Sequence, residues 1–425
     1  MPVFVGAGTS AFMKGDGGVG FTRLTTTQRN AITAVEGQVI YNTTLNVIEY
    51  YTGSQWSKIS PILCVLNTVT GNIADGAATT LTLAGEGFLT SGLVVNFVQS
   101  ADSINVDVSV SPSSDTAATV TIPASIYNNV TAGRVVSIKA TNSDGSVSGT
   151  VTKTAVALPT GGTITAYSGY RSHKFTSSGT FTATALISQV DALMVAGGGG
   201  GGGDNAGGGG AGGMKVHTGI NVSSQGYSIV IGGGGTGSAL SHGDEGPYAT
   251  AGSNTTAFGY SVTGGGQGAS SGGANAGSGG SGGGGGNEAA SATGGSGTSG
   301  QGNNGGNGAN GGGGGGGGKG AVGQAGNVRS SAKGGLGGAG LQNNYATGSN
   351  LWYAAGGNGG NENQQYDAPG ATNGIGGVSN TNGSNRATSG TANTGSGGGG
   401  STHTTSANPG SGDGGSGVVV IRYAV

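Results

Sequence analysis

Apolar and polar residues alternate with a period of two through much of the chain before Thr263, the pattern of half-buried β-strands. Near the start, Gly37 to Asn42 and Val47 to Tyr51 flank Thr43-Thr44-Leu45-Asn46, which predicts a β-hairpin running on to Trp56. The stretch Arg23 to Ile32 before it reads as a short helix with a threonine cap. Residues 61 to 158 carry alternating runs at Leu81-Thr82-Leu83, Val106 to Val110, Val120 to Ile122, Val136 to Ala140 and Val147 to Val156, with a turn at Asn142-Ser143-Asp144-Gly145. About seven such strands make a β-sandwich. Further strands are predicted at Tyr170 to Thr184, Val190 to Ala196, Lys215 to Val222, Tyr227 to Ile231 and Thr255 to Val262, and the apolar Val418 to Tyr423 would close their sheet. The fold class is therefore mainly β.

Between those last strands the pattern gives way to glycine. About four-fifths of the 103 glycines fall between Gly197 and Gly417, in runs such as Gly197–Gly203 and Gly311–Gly318. Glycine has no side chain to bury and loses the most backbone entropy on ordering. A route to order is the extended helix with three residues per turn, whose peptide groups all point outward and can bond to neighbouring helices. A strict Gly-X-Y collagen is excluded by only 8 prolines. A floppy linker fits poorly, because Glu245, Glu288, Glu362, Lys215, Lys319 and Lys333 are the only Glu and Lys of the tract and apolar strands bracket it. The expectation is a polyglycine II-type lattice on a β-platform.

Charge changes the picture little: 15 basic against 17 acidic side chains give −2, with no basic block for nucleic acid or an anionic membrane. No apolar run approaches a membrane span, and Met1 is not followed by a leader-like segment, so synthesis in a cytosol without membrane insertion is expected. Cys64 is alone and reads as a small buried hydrophobe. His173, His217, His242 and His403 lack metal-ligand spacing and read as surface imidazoles. Asp244-Glu245 reads as a solvated turn, and Gly318-Lys319-Gly320 lacks the hydroxyl residue a phosphate loop needs. No catalytic residue, metal or cofactor is expected, and the chain is not read as an enzyme.

Arg23 through Trp56, with the line RLTTTQRNAITAVEGQVIYNTT, resembles a short module common in virion proteins of tailed bacteriophages. Ala84-Gly85-Glu86-Gly87-Phe88 with Thr141 to Gly145 is similar to the IPT/TIG type of immunoglobulin-like domain. The order FTSSGTF, VDALMVAGGGGGGG, YSIVIGGGG and a returning SGVVVIRY is similar to glycine-rich domains of phage fibre proteins, here of a cyanophage-like kind. More distantly it resembles the glycine-rich domain of anaplastic-lymphoma-kinase-type receptors and the glycine-rich adhesins at phage tail-fibre tips. The resemblance implies a virion protein, exposed on the particle, whose partners are other tail proteins, further copies of itself as a trimer, and a host-surface glycan or outer-membrane protein. It implies a tail fibre or adhesin; the alternative is a purely architectural fibre segment, collar or capsid decoration.

The expected units are a virion-attachment or oligomerisation module at 1–60, the sandwich at 61–158 and the glycine-rich unit at 159–425. The last divides into a platform of 159–262 plus 418–425 and a lattice of 263–417. The hairpin of the first unit cannot cover itself, so Arg23, Leu24, Ile40, Tyr41, Tyr50 and Trp56 are its contact candidates. In a tract almost devoid of bulk, Tyr345, Leu351, Trp352, Tyr353 and Tyr366 are candidates for receptor contact, since flat aromatic faces stack on sugar rings; the competing reading is that they plug the lattice or bury against a neighbouring chain.

Overall fold

The structure, a computed structural model, describes residues 12–13, 19–59, 63–239, 248–271, 276–287, 292–327, 333–361, 373–380, 386–402 and 410–425. Its chain divides into two compact units, one of residues 1–71, 80–122 and 135–153, the other of 72–79, 123–134 and 154–425. Segments 72–79 and 123–134 thus leave the 61–158 span assigned to the sandwich and belong with the glycine-rich unit.

Thr25 starts the helix Thr26–Ala31 because its hydroxyl accepts from the Gln28 N–H while the Gln28 side chain accepts from the Thr25 N–H. The strand Thr22–Leu24 runs parallel to Val39–Asn42, which continues antiparallel through Val47–Tyr51 to Trp56–Ile59. The centre of this small sheet is polar. Glu49, buried, takes two hydrogen bonds from Arg29 at 2.7 and 2.8 Å and one from Asn42 at 2.8 Å. The Asn42 oxygen in turn accepts from the Thr44 and Leu45 N–H groups and fixes the turn.

In the sandwich one sheet has the order 104–110, 93–99, 135–141, 151–154 and the other the order 117–121, 80–86, 65–70. Alternation sets the faces. Leu81, Leu83, Leu93, Val95, Phe97, Val120, Val136 and Ile138 are buried while their sequence neighbours are not. Cys64 is buried as expected, and burial pushes its thiol above the usual range, with Asp144 adding to the effect.

In the second unit, the five-stranded sheet has the order Thr163–Tyr167, Tyr170–Phe175, Val418–Ala424, Gln189–Val195, Met214–Asn221. A four-stranded sheet of 179–182, 226–230, 255–257 and 260–262 shares one core with it, built on Phe175, Phe181, Met194, Ile229, Val419 and Ile421. The opposite face of the five-stranded sheet packs Leu193, Val195, Val418 and Val420 against Ala211, Tyr345 and Tyr353. Covered on both faces, the strand at 418–424 opens with a continuous apolar run, Val418 to Ile421, rather than an alternating one.

Strand Gln189–Val195 passes directly into the glycine helix Gly197–Gly203, and this helix is surrounded by six others. It donates to Ser253 and Thr250, to Gly415 and Gly412, and to Gly210 and Gly207, and accepts from Gly265 and Gly268, Gly235 and Ser238, and Gly398 and Ser401. Each neighbour is met again after three residues, the period of an extended three-fold helix. Gly313–Gly318 repeats the arrangement, donating to 282–285, 321–324 and 357–360. The lattice is therefore not confined to 263–417: residues 197–213 lie at its centre, and 232–238 and 250–253 are among its members.

Why glycine is required follows from the spacing. A Cβ built on Gly198, Gly201, Gly314 or Gly316 would fall on the carbonyl oxygen of Ser396, Gly399, Gly306 or Gly209 respectively. Gly233, at the exposed edge, has open space instead. Gly314→Val is expected to lower the melting temperature through displaced lattice bonds, at about 1–3 kcal/mol for each buried group left unpaired, while Gly233→Ala leaves it unchanged. Thermal melting of both variants checks this; equal curves for the two would contradict the lattice.

His173 corrects the surface reading of the histidines. It is buried between Phe181 and Tyr423, its Nδ1 2.7 Å from the Gly161 carbonyl and its Nε2 3.3 Å from the Tyr423 hydroxyl. Burial, offset in part by the Gly161 bond and helped by Arg171, holds the imidazole below its ordinary range. His217, stacked on Tyr260 at 3.9 Å, shifts the same way by burial and then Lys215. His242 and His403, with Asp244 and Glu245, lie outside the described residues. A depressed histidine means that the unfolded chain binds the proton more readily, so stability is complete above the ordinary value near 6.5 and falls as the pH drops below it. The melting temperature is expected to decline between pH 7.5 and 5, with a shallower decline in His173→Gln; identical slopes would show that His173 does not carry the effect.

Candidate functional site

The aromatic candidates come from a β-hairpin, Leu341–Asn343 with Leu351–Tyr353, that sits where the lattice meets the five-stranded sheet. The two strands alternate as strands must, so consecutive residues of Leu351-Trp352-Tyr353 meet different surroundings. Tyr353 is only 2% exposed and joins the core under the sheet, with its hydroxyl raised above the usual range by burial. Tyr345 is 7% exposed. The Arg422 guanidinium lies 3.6 Å over its ring and 4.5 Å over that of Tyr170, and pairs with Asp191 at 3.3 Å. Tyr167 donates to the Tyr345 carbonyl and Ser172 to that of Ala346, at 2.5 and 2.9 Å, tying the loop to the sheet.

Tyr345 and Tyr353 are thus chiefly packing residues, filling the core between hairpin and sheet, although Tyr353 also borders the groove described next. Leu351 and Trp352 are 37% and 36% exposed. They line an open groove of about 320 Å³ with Lys174, Asn350, Tyr353, Ile375, Asn393 and Thr394. Sequence reasoning missed Lys174, because nothing in a linear reading places residue 174 beside residue 352. Tyr366 lies outside the described residues.

A second place of interest is the lattice end remote from the sheet. There glycine yields to polar side chains that bond to backbone ends. Ser270 accepts from the Gly203 N–H at 3.1 Å, Ser401 from the Asp204 N–H at 2.8 Å, and Asn380 from the N–H and hydroxyl of Thr402 at 2.7 and 3.0 Å. Ser271 donates to the Asp204 carboxylate at 3.0 Å. Asp204 and Asn205 take the left-handed conformation that turns the chain back. Ser238, Ser271, Ala292, Gly326 and Ser411 also lie at this end, bonded to Gly201, Gly203, Gly308, Asn307 and Ser238 respectively.

Of the contact candidates in the N-terminal module, Ile40 is fully buried and builds the small core; it is withdrawn from the surface. Arg23 and Tyr50 are exposed, and Leu24, Tyr41 and Trp56 are half-buried. Arg23 lies 5.2 Å over the Tyr41 ring and Trp56 packs on Tyr51 at 5.4 Å. The apolar surface also includes Val35 at 68% and Ile59 at 48% exposure, which the motif did not single out. No group of three or more His, Cys, Asp or Glu side chains that could hold a metal occurs among the described residues.

The division of the hairpin is testable. Tyr353→Ala is expected to destabilise by about 3–5 kcal/mol, the usual cost of emptying an aromatic site in a core, whereas Trp352→Ala should move the melting temperature little. Parallel melting curves check it, and a larger loss in Trp352→Ala would reverse the assignment.

The comparisons follow this division. Residues 175–424 match the family model described as a glycine-rich domain, and residues 10–74 the one described as a phage tail like trimerisation region. No curated protein matches the chain. Among solved structures, the chicken CNTN1 FN1-FN3 domains are 12% identical over 44% of this chain and 67% of that one, with a TM-score of 0.18, and this likeness carries no argument. The glycine-rich model spans more than half of the chain, from the strand end at Phe175 through the lattice to the closing strand at 418–424. The chain belongs to the glycine-rich domain family, and ahead of that domain it carries a phage tail-like trimerisation region.

Proposed function

We propose that the protein is a phage tail fibre whose glycine-rich domain recognises the host surface, and that it is not an enzyme. The observation that supports this reading most directly is the lattice end remote from the sheet, where Ser270, Ser401, Asn380 and the left-handed Asp204-Asn205 turn close off the glycine helices with polar side chains. The packing of three-residue-period helices, read as the polyglycine II type, places the burden of stability on backbone bonds. Sequence between the lattice members is then free to change without loss of the frame, as a host-range determinant requires. Exchange of residues 403–409 for a Gly-Ser stretch of equal length is expected to reduce host adsorption by about tenfold or more, a loss of at least about 1.4 kcal/mol of binding. The melting temperature should stay close to that of the parent. Normal adsorption in this variant and in an equivalent exchange of 381–385 would favour the architectural alternative.

The N-terminal module, in this reading, holds three copies together in the virion. Its polar centre leaves Val35, Leu45, Tyr50 and Ile59 exposed, more apolar surface than such a small sheet usually leaves in water. Val35→Asp combined with Ile59→Lys is expected to convert a trimer to a monomer in light scattering, with the far-ultraviolet circular dichroism retained. A parent that is already monomeric, or a variant that remains trimeric, would remove this surface from the assembly.

A further inference from the structure

The groove beside Trp352 has a neighbour. Gly162, Thr163, Phe175, Thr176, Ser177, Ser178, Gly179 and Thr180 line a second depression of about 280 Å³, and Lys174 lines both. Thr163 stands directly across the ladder from Lys174, so the two side chains share one face. No Asp or Glu lines either depression among the described residues. Among the described residues, the Lys174 ammonium, the Asn350 amide and the Trp352 indole N–H have no hydrogen-bond partner. On the Trp352 side the available groups are thus a cation, two kinds of N–H donor and an exposed aromatic face; on the far side they are chiefly hydroxyls, of which that of Ser178 already accepts from the Ile231 N–H.

Each property selects against a different class of ligand. A cation with no carboxylate among the described lining residues repels cations and favours an anion. Two shallow polar-edged depressions suit an extended ligand better than a compact apolar one, which would leave the donors unmatched on burial. An aromatic face flanked by N–H and O–H groups matches a ring whose faces are C–H and whose rim is hydroxyl. We propose that the paired depression binds an anionic saccharide, one sugar ring lying on Trp352, its acid group held by Lys174, and the next sugar reaching the hydroxyls of Thr163 and Thr176 to Thr180. Recognition here is a side-wall function of the domain and is separate from the lattice end proposed above for host adsorption.

The test uses the full-length protein with tetragalacturonate, a sulfated heparin tetrasaccharide and neutral maltotetraose, measured by calorimetry at low ionic strength. At least one anionic tetramer is expected to bind about tenfold more tightly than maltotetraose, and added salt should narrow that gap. Which of the two binds separates a carboxylate from a sulfate ligand. Lys174→Met, which keeps the aliphatic stem, should abolish the preference; Trp352→Ala should weaken binding of every tetramer, and Trp352→Phe should retain most of it. Lys215→Met, outside the depressions, should change nothing. The proposal fails if neither anionic tetramer exceeds maltotetraose, if Lys174→Met keeps the preference, or if Lys215→Met loses as much as Lys174→Met. Exchange of 403–409 should leave glycan binding intact, so loss of adsorption without loss of glycan binding, or the reverse, tells which of the two sites has failed.

Discussion

A peptide group removed from water must have a hydrogen-bond partner, and in a chain without side chains that partner can only be another backbone. The glycine-rich unit is organised by this constraint. Gly197–Gly203 answers it with six neighbours, each bonded at every third residue, and the neighbours answer it in the same way outward to an edge where glycines such as Gly233 face solvent. Close approach and lateral bonding are one requirement: the carbonyl oxygens that accept these bonds occupy the volume a Cβ would need. The lattice is anchored by the sheet beneath it, since strand 189–195 enters it and strand 418–424 leaves it.

Local chemistry was readable where a few neighbouring residues decide the outcome. The threonine cap before the helix, the hairpin over 37–51 and the strand at 418–423 are each read from a short stretch, and the structure has all three. The lattice itself was legible in kind, because composition left few other ordered states. Its membership was not. Residues 197–213 lie between predicted strands and look like their connection, yet partners from 235 to 415 make them its centre.

The site was less legible for a related reason. A ring in a glycine-rich tract can be a contact residue or a plug, and the choice depends on which face of a three-residue strand meets the sheet. Tyr353 faces it and Trp352 does not. Tyr345 is held by Arg422, 77 positions away, and His173 is buried by Phe181 and Tyr423, so neither environment leaves a trace near the residue itself. Lys174, the cation of the groove, sits in a strand whose pattern predicts only an outward polar position.

The order of strands has a bearing on how the molecule comes into being. Strand 418–424 is not at an edge; it lies between 170–175 and 189–195, and both of those strands use it as a partner. During synthesis the sheet has a gap at its middle until residues 418–424 emerge, some two hundred positions after the strands on either side of it. Contacts that distant in sequence close slowly. The nascent chain therefore spends most of its time on the ribosome with two unpaired strand edges and a glycine tract that has no frame to join, a state open to mispairing with other chains. Maturation of this domain is in that sense a single late event, and any truncation that removes the final seven strand residues removes the sheet's central member rather than its trim.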